Sequence, residues 1–237
     1  MSERPLAGRS ALVTGATRGI GAAVARRLAG AGAELHLLAR GREALERTAK
    51  ELGGCAWPAD LEDAASVADA LERLQESRGV PDLVVNAAGV FEMAPLAETT
   101  LELFDRALGA NLRGPFLVIR ALLPGMLARG SGAIVSVGSV AGHRAFATNG
   151  AYSASKFGLR GLHEVLGEEV RGTGVRATLI EPAATDTSAW DPYRPDERPE
   201  LPDRADMLRP DDVAEAVLFA ITRPAGVTLP LLRIQRG

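Results

Sequence analysis

Short apolar runs alternate with longer stretches of helical period from one end of this chain to the other, and that alternation leaves few architectures open. A strand buried on both faces reads as a short continuous apolar run, whereas a helix laid on a sheet shows a single apolar stripe. Ser10-Ala11-Leu12-Val13 reads as a first strand, and Ile20, Val24, Leu28 and Ala31 follow as the stripe of a helix that Gly30 and Gly32 end. Residues 34–39 form a second strand, with Leu35, Leu37 and Leu38 expected inside, and residues 41–52 a second helix. A third strand at Cys55-Ala56-Trp57 stops at Pro58, which suits a sheet edge because proline has no N–H for the ladder. Repeated strand–helix units of this kind predict an α/β fold with a parallel sheet.

The pattern continues. Val67, Leu71 and Leu74 mark a helix, Leu83-Val84-Val85 a buried strand, and residues 100–129 a helical stretch with a break near Gly114-Pro115. Residues 133–137 read as a strand, Leu159, Leu162, Leu166 and Val170 as the stripe of a helix running on from Tyr152, and residues 175–180 as a strand. A helix over 211–222, capped by an aspartate after Pro210, precedes a last strand near Leu229 to Ile234. With no internal repeat and no low-complexity linker, residues 1–237 are expected to form one domain. Residues 185–209 stand apart, dense in Pro, Asp and Arg and holding Trp190 and Tyr193. A long irregular segment in a compact domain is read as a substrate lid.

The composition excludes several classes. Of 237 residues, 46% are apolar and 24% charged, the balance of a folded globular chain, and the net charge of −3 gives no attraction to nucleic acid or an anionic membrane. Cys55 is the only cysteine, which rules out an intrachain disulfide and points to a buried, inert thiol. His36, His143 and His163 lack metal-ligand spacing, so no metal is expected. The polar start, Met1-Ser2-Glu3-Arg4-Pro5, is neither a signal peptide nor a membrane span, which predicts a cytoplasmic location. Lysine occurs only at Lys50 and Lys156, and asparagine only at Asn86, Asn111 and Asn149, so each carries more information than usual.

Thr14-Gly15-Ala16-Thr17-Arg18-Gly19-Ile20-Gly21 lies between the first strand and the first helix. Glycines let the backbone turn sharply and approach a pyrophosphate, and free N–H groups at the helix start favour the anion. An NAD site would place an acid about 20 residues further on, at the end of the second strand. That end reads Ala39-Arg40-Gly41-Arg42 instead. Arg40 can pair with a 2′-phosphate, and Arg18 lies in the turn on the same side, which predicts NADP(H) over NAD(H).

Tyr152 and Lys156, four residues apart, share one helix face. A phenol titrates too high for efficient proton exchange near neutrality, and an ammonium beside it stabilises the phenolate. Ser139 ends the strand Ile134-Val135-Ser136-Val137, and Asn86 ends Leu83-Val84-Val85, both at the sheet edge where α/β folds gather ligand groups. Asn111 falls inside a helical stretch, poorly suited to packing and able to hold a water.

Together Thr14-Gly15-x-x-x-Gly19-x-Gly21, Asp60-Leu61, Asn86-Ala87-Ala88-Gly89, Asn111, Ser139 and Tyr152-x-x-x-Lys156 make the chain resemble the short-chain dehydrogenase/reductase family from about Ser10 to Ile234. The resemblance implies a Rossmann-type doubly wound parallel sheet of about seven strands with helices on both faces. It implies a catalytic set of Asn111, Ser139, Tyr152 and Lys156. In that set Ser139 bonds the substrate oxygen, Tyr152 exchanges its proton, Lys156 tunes Tyr152 and binds the nicotinamide ribose, and Asn111 supports a water. Gly15, Thr17, Arg18, Gly19, Ile20 and Gly21 would hold the phosphates, Arg40 the 2′-phosphate, and Asp60 with Leu61 the adenine. Asn86, Ala87 and Gly89 would line the cofactor at the fourth strand, and Pro182 and Thr187 would meet the nicotinamide. The chain departs from the family at Ala183, where glycine is usual, and at a C-terminus without the closing Asp-Gly-Gly, which leaves homodimer and homotetramer both open. The expected activity is NADPH-dependent reduction of a ketone, aldehyde or 3-oxoacyl carbonyl on a small molecule, with Tyr152 as general acid. Two alternatives stand beside it: NADP-dependent oxidation of a 3-hydroxy acid or similar alcohol, and a non-catalytic NADPH-binding sensor or interaction protein.

Overall fold

The computed structural model describes residues 4–237. Its centre is one sheet of seven parallel strands in the order β3-β2-β1-β4-β5-β6-β7. The strands are β1 Ser10–Thr14, β2 Glu34–Ala39, β3 Cys55–Pro58, β4 Leu83–Asn86, β5 Gly132–Val137, β6 Val175–Pro182 and β7 Leu231–Ile234. The helices are α1 Gly19–Gly30, α2 Arg42–Leu52, α3 Ala64–Arg78, α4 Leu101–Leu108, α5 Gly114–Arg129, α6 Gly150–Glu169 and α7 Pro210–Ile221. The order reverses between β1 and β4, the crevice where open α/β sheets take their ligands.

Apolar clusters cover both faces. On one, α1, α2 and α7 pack Val24, Leu28, Leu45, Val213 and Val217 over Val13, Leu37, Val85 and Val135. On the other, α3, α5 and α6 set Val67, Leu71, Leu122 and Leu166 over Leu12, Leu38, Val84 and Ile134. Alternate residues of each strand therefore serve opposite faces, which is why these strands read as unbroken apolar runs. Pro58 ends β3 at the sheet edge, as its missing N–H requires.

Several boundaries differ from the expectation. The helix over 100–129 does not simply break at Gly114-Pro115: residues Gly109–Arg113 widen into a π turn, and α5 starts after it with Pro115 in its first turn, where a missing N–H costs nothing. The aspartate at the start of α7 works from the third helical position. Asp212 Oδ2 reaches back to accept the backbone N–H of Arg209 at 2.8 Å, while Pro210 opens the helix. Cys55 is half-buried rather than fully enclosed, because the edge strand leaves one side uncovered. His36 is buried on β2 and accepts from Trp57 Nε1 at 3.3 Å through Nδ1. Among the described residues, no helix is long and apolar enough to cross a membrane.

Candidate active site

The carboxyl ends of β1 and β4 are stitched together by Thr14, whose Oγ1 accepts the N–H groups of Ala87 and Ala88 at 3.2 Å each. Over this stitch runs the glycine turn. Gly15 has φ +69°, and a β-carbon on it would lie 2.6 Å from Ala88 Cα, while a β-carbon on Gly21 would overlap the Gly15 carbonyl oxygen. Only glycine permits so tight an entry into α1. Arg18 precedes α1 in extended conformation; no side chain caps the helix start and no acid sits in its first turn. Free N–H groups and the positive end of the helix dipole are thus left for an anion. Thr17 and Ile20 flank the turn half-buried, and Ile20 packs on the core. Thr187 closes the other side, its Cγ2 3.2 Å from where a β-carbon of Gly19 would stand. Asn86, paired in register with Thr14, is buried with neither Oδ1 nor Nδ2 bonded among the described residues. Two such atoms call for a polar partner. Pro182 is buried where β6 ends.

Arg40 is exposed at the end of β2, but not alone there. The loop after β3 brings Glu62 Oε1 to 3.3 Å and Asp60 Oδ2 to 3.8 Å from its Nη1. Neither acid is visible in the local sequence at the end of β2. Asp60 also braces its own loop: its N–H donates to Ser66 Oγ at 3.1 Å, and its Oδ1 accepts from Glu62 N at 3.0 Å. Leu61 is buried against Gly114 at the start of α5.

On the other side of the crevice, Tyr152 and Lys156 stand one turn apart on α6. Lys156 is buried, donates from Nζ to Val137 O at 2.9 Å, and lies 5.7 Å from the centroid of the Tyr152 ring. Burial lowers its ammonium to about 8. Tyr152 is half-buried, and burial raises its hydroxyl above the ordinary phenol value while the Ser139 side chain acts in the opposite direction. The Lys156 ammonium lies over the ring face. Ser139 is half-buried after β5, where its Oγ also accepts Ala141 N at 3.1 Å.

Asn111 sits in the π turn, wholly buried. Its Oδ1 accepts Val90 N at 2.8 Å, and its Nδ2 donates to Val90 O and to Ser155 Oγ, each at 2.9 Å. Both amide protons are committed, so one lone pair of Oδ1 remains for a further bond. The expected water support therefore shrinks to that single position, and the main action of Asn111 is to clamp the loop after β4. Gly89 in that loop leaves room for Asn111 Oδ1 and Lys156 Nζ, which would stand 2.8 and 3.8 Å from a β-carbon there.

The clamp has a consequence one residue on. Phe91 meets Tyr152 edge-on at 4.9 Å between centroids, and also contacts Trp190 at 4.7 Å and Tyr193 at 5.6 Å. Tyr193 Oη accepts Met93 N at 2.8 Å. Both aromatics singled out in the irregular segment thus lie over Tyr152 through Phe91. The segment itself is ordered by Arg204, which pairs with Asp186 at 2.5 Å and Asp191 at 2.6 Å. His143, between Ser139 and Tyr152, turns to Glu181 at 2.8 Å. Phe91, Val90 and Ser155 escaped the reading of the sequence, as did the bonds from Thr14 to the loop after β4. The scarcity of aromatics, 4% of the chain, was the one signal that could have flagged Phe91.

Residues 9–198 match the family model described as short chain dehydrogenase. The chain belongs to the short-chain dehydrogenases. D-threitol dehydrogenase from Mycolicibacterium smegmatis is 38% identical, the match spanning 94% of this chain and 89% of that protein. A serine dehydrogenase solved in closed form with NADP+ is similar in fold at a TM-score of 0.87 and 31% identity, covering 94% of this chain and 93% of its own. An alcohol dehydrogenase from the archaeon Thermococcus sibiricus, complexed with 5-hydroxy-NADP, matches at a TM-score of 0.84 and 31% identity over 96% of both chains. This short-chain dehydrogenase is an oxidoreductase that shares their doubly wound sheet.

Proposed function

We propose that this short-chain dehydrogenase reduces a small-molecule carbonyl with NADPH, with Tyr152 as the proton donor. The observation that carries the reading is Lys156, buried with its ammonium 5.7 Å from the centroid of the Tyr152 ring, at the sheet edge where Ser139 follows β5. NADPH, when bound, supplies the hydride. Ser139 donates a hydrogen bond to the substrate oxygen and fixes its position. Tyr152 delivers a proton to that oxygen as it gains charge, so the carbonyl becomes an alcohol. The Lys156 ammonium would donate to the nicotinamide ribose and favour the phenolate left on Tyr152, whose proton is replaced from solvent water.

The residues at the glycine turn fit a dinucleotide: an uncapped α1, a cradle that β-carbons would fill, and the unpartnered amide of Asn86. Gly15, Thr17, Arg18, Gly19, Ile20 and Gly21 would take the phosphates, Asp60 and Leu61 the adenine side, and Asn86, Ala87, Gly89, Pro182 and Thr187 the nicotinamide side. Arg40 would take the 2′-phosphate. Its present partner Glu62 is no obstacle, since a surface pair is worth about 1 kcal/mol or less and a charge-assisted bond to phosphate more. Two of the similar structures carry NADP or a derivative, which supports the same choice.

A second reading is favoured by the names of the relatives, a threitol and a serine dehydrogenase: the same residues run in reverse on an alcohol, Tyr152 then accepting the proton. The test follows NADPH absorbance against ketones, aldehydes and 3-oxoacyl thioesters, and NADP+ against polyols and hydroxy acids, beside NADH and the Tyr152→Phe variant. Turnover with NADPH that falls by about 100-fold or more in Tyr152→Phe is the expected result. Faster turnover of alcohols at neutral pH reverses the direction. Tight NADPH binding with no turnover on either panel leaves a sensor.

A further inference from the structure

Among the described residues Glu181 is the only buried carboxylate, and the chemistry above gives it no part. Its side chain is 1% exposed at the end of β6, and two guanidiniums and an imidazole from three elements converge on it. His143 Nδ1 approaches Oε2 at 2.8 Å, Arg233 Nε donates to Oε2 at 3.0 Å, and Arg160 Nη1 donates to Oε1 at 3.4 Å. His143 ends the turn that begins at Ser139. Arg160 is one turn beyond Lys156 on α6. Arg233 is its register partner on β7.

The turn that bears Ser139 packs closely beside this anion. A β-carbon on Gly142 would stand 3.0 Å from the Lys156 carbonyl oxygen and 3.6 Å from Glu181 Oε1. One on Gly138 would stand 3.4 Å from Glu181 Cγ, and Gly138 N donates to Ile180 O at 2.7 Å. Ser139 is therefore bracketed by two glycines on which a β-carbon would meet β6 at Leu179, Ile180 and Glu181 on one side and the Lys156 carbonyl and Glu181 on the other. A well-packed apolar side chain would serve stability as well as a buried ion cluster does, so what the anion adds is direction.

We propose that Glu181 is a positioning residue: its carboxylate, bonded by Arg160 and Arg233 and with His143 against it, sets the Ser139 turn at its working distance from Tyr152 and Lys156. This rests on the reading of Ser139, Tyr152 and Lys156 as the reacting set. Misplacing a reacting group by an ångström can cost about 100-fold in rate.

The test compares the wild type, Glu181→Gln, Arg233→Gln and Tyr152→Phe. It measures kcat, both KM values, the isotope effect with NADPH deuterated at the transferring carbon, and amide exchange over residues 138–143. Glu181→Gln is expected to lower kcat by about 10- to 100-fold, with the KM for NADPH within about twofold, a larger isotope effect, and faster exchange in the turn. A kcat per folded molecule within about twofold of wild type, with exchange and isotope effect unchanged, would overturn the proposal. So would a loss in which the KM for NADPH rises in step. If Glu181→Gln does not fold, Arg233→Gln, altered at a half-exposed partner, decides by the same readouts: faster exchange with a raised isotope effect supports the proposal, and neither change overturns it. Turnover retained in Tyr152→Phe would instead sink the reading of the reacting set. Without any turnover in the wild type, amide exchange still decides the brace.

Discussion

Arg40 shows how far one side chain can be judged from its own stretch of sequence. It ends β2 where a carboxylate would bind a ribose hydroxyl, and this could be seen at once; that Glu62 waits 3.3 Å away could not, because the loop after β3 delivers it. Arg40→Ser is expected to lower the kcat/KM ratio of NADPH over NADH by on the order of 10- to 100-fold, the worth of a charge-assisted pair. Steady-state kinetics with both cofactors checks it, and an unchanged ratio would transfer the 2′-phosphate to Arg18. The placing of Tyr152 and Lys156 on one helix face and of Ser139 at the end of β5 was legible for a related reason: both follow from local spacing. Phe91 was not, since an aromatic in a loop announces nothing until the fold brings Tyr152, Trp190 and Tyr193 around it.

The elements were legible in proportion to how local their causes are. Strands buried on both faces and helices with one apolar stripe write their period into the chain, and all seven strands were read with boundaries a few residues off. The π turn at Gly109–Arg113 was read only as a helix break, because its reason is distant: Asn111 bonds to Val90 and Ser155 on other elements. The segment after β6 was read as a lid, while its internal form, set by Arg204 on separate aspartates, was not. Its contact with the rest of the site runs through Phe91. Phe91→Ala is expected to cut kcat/KM for the carbonyl by on the order of tenfold, from the loss of several aromatic contacts, and to leave the KM for NADPH near wild type. Initial rates with each substrate varied in turn separate the two, and an equal rise in both KM values would remove Phe91 from the substrate wall.

Across the whole molecule, burial also sets a pH limit. His163 lies on the inner face of α6 with both ring nitrogens unbonded among the described residues, and burial holds it down at about 4. An unfolded histidine takes its proton near 6.5. The unfolded chain therefore binds a proton that the folded chain refuses between those values, and stability falls as pH drops through that window. Above it the site contributes no slope. At pH 5 the loss amounts to about 2 kcal/mol relative to pH 7.5. Urea unfolding at both pH values should show His163→Leu losing about 2 kcal/mol less than the wild type, and parallel losses would refute the assignment. The sheet and its two apolar faces carry this stability, whereas the two ends of the segment after β6 meet each other. Thr185 and Leu208 pair side by side, with Asp186 N donating to Leu208 O at 2.8 Å and Leu208 N to Ala184 O at 2.9 Å. A loop whose ends meet is a cassette: its length can change at a cost that grows only with the logarithm of its size. A stretch of about two dozen residues can thus change in length or content with little disturbance to the sheet beneath it.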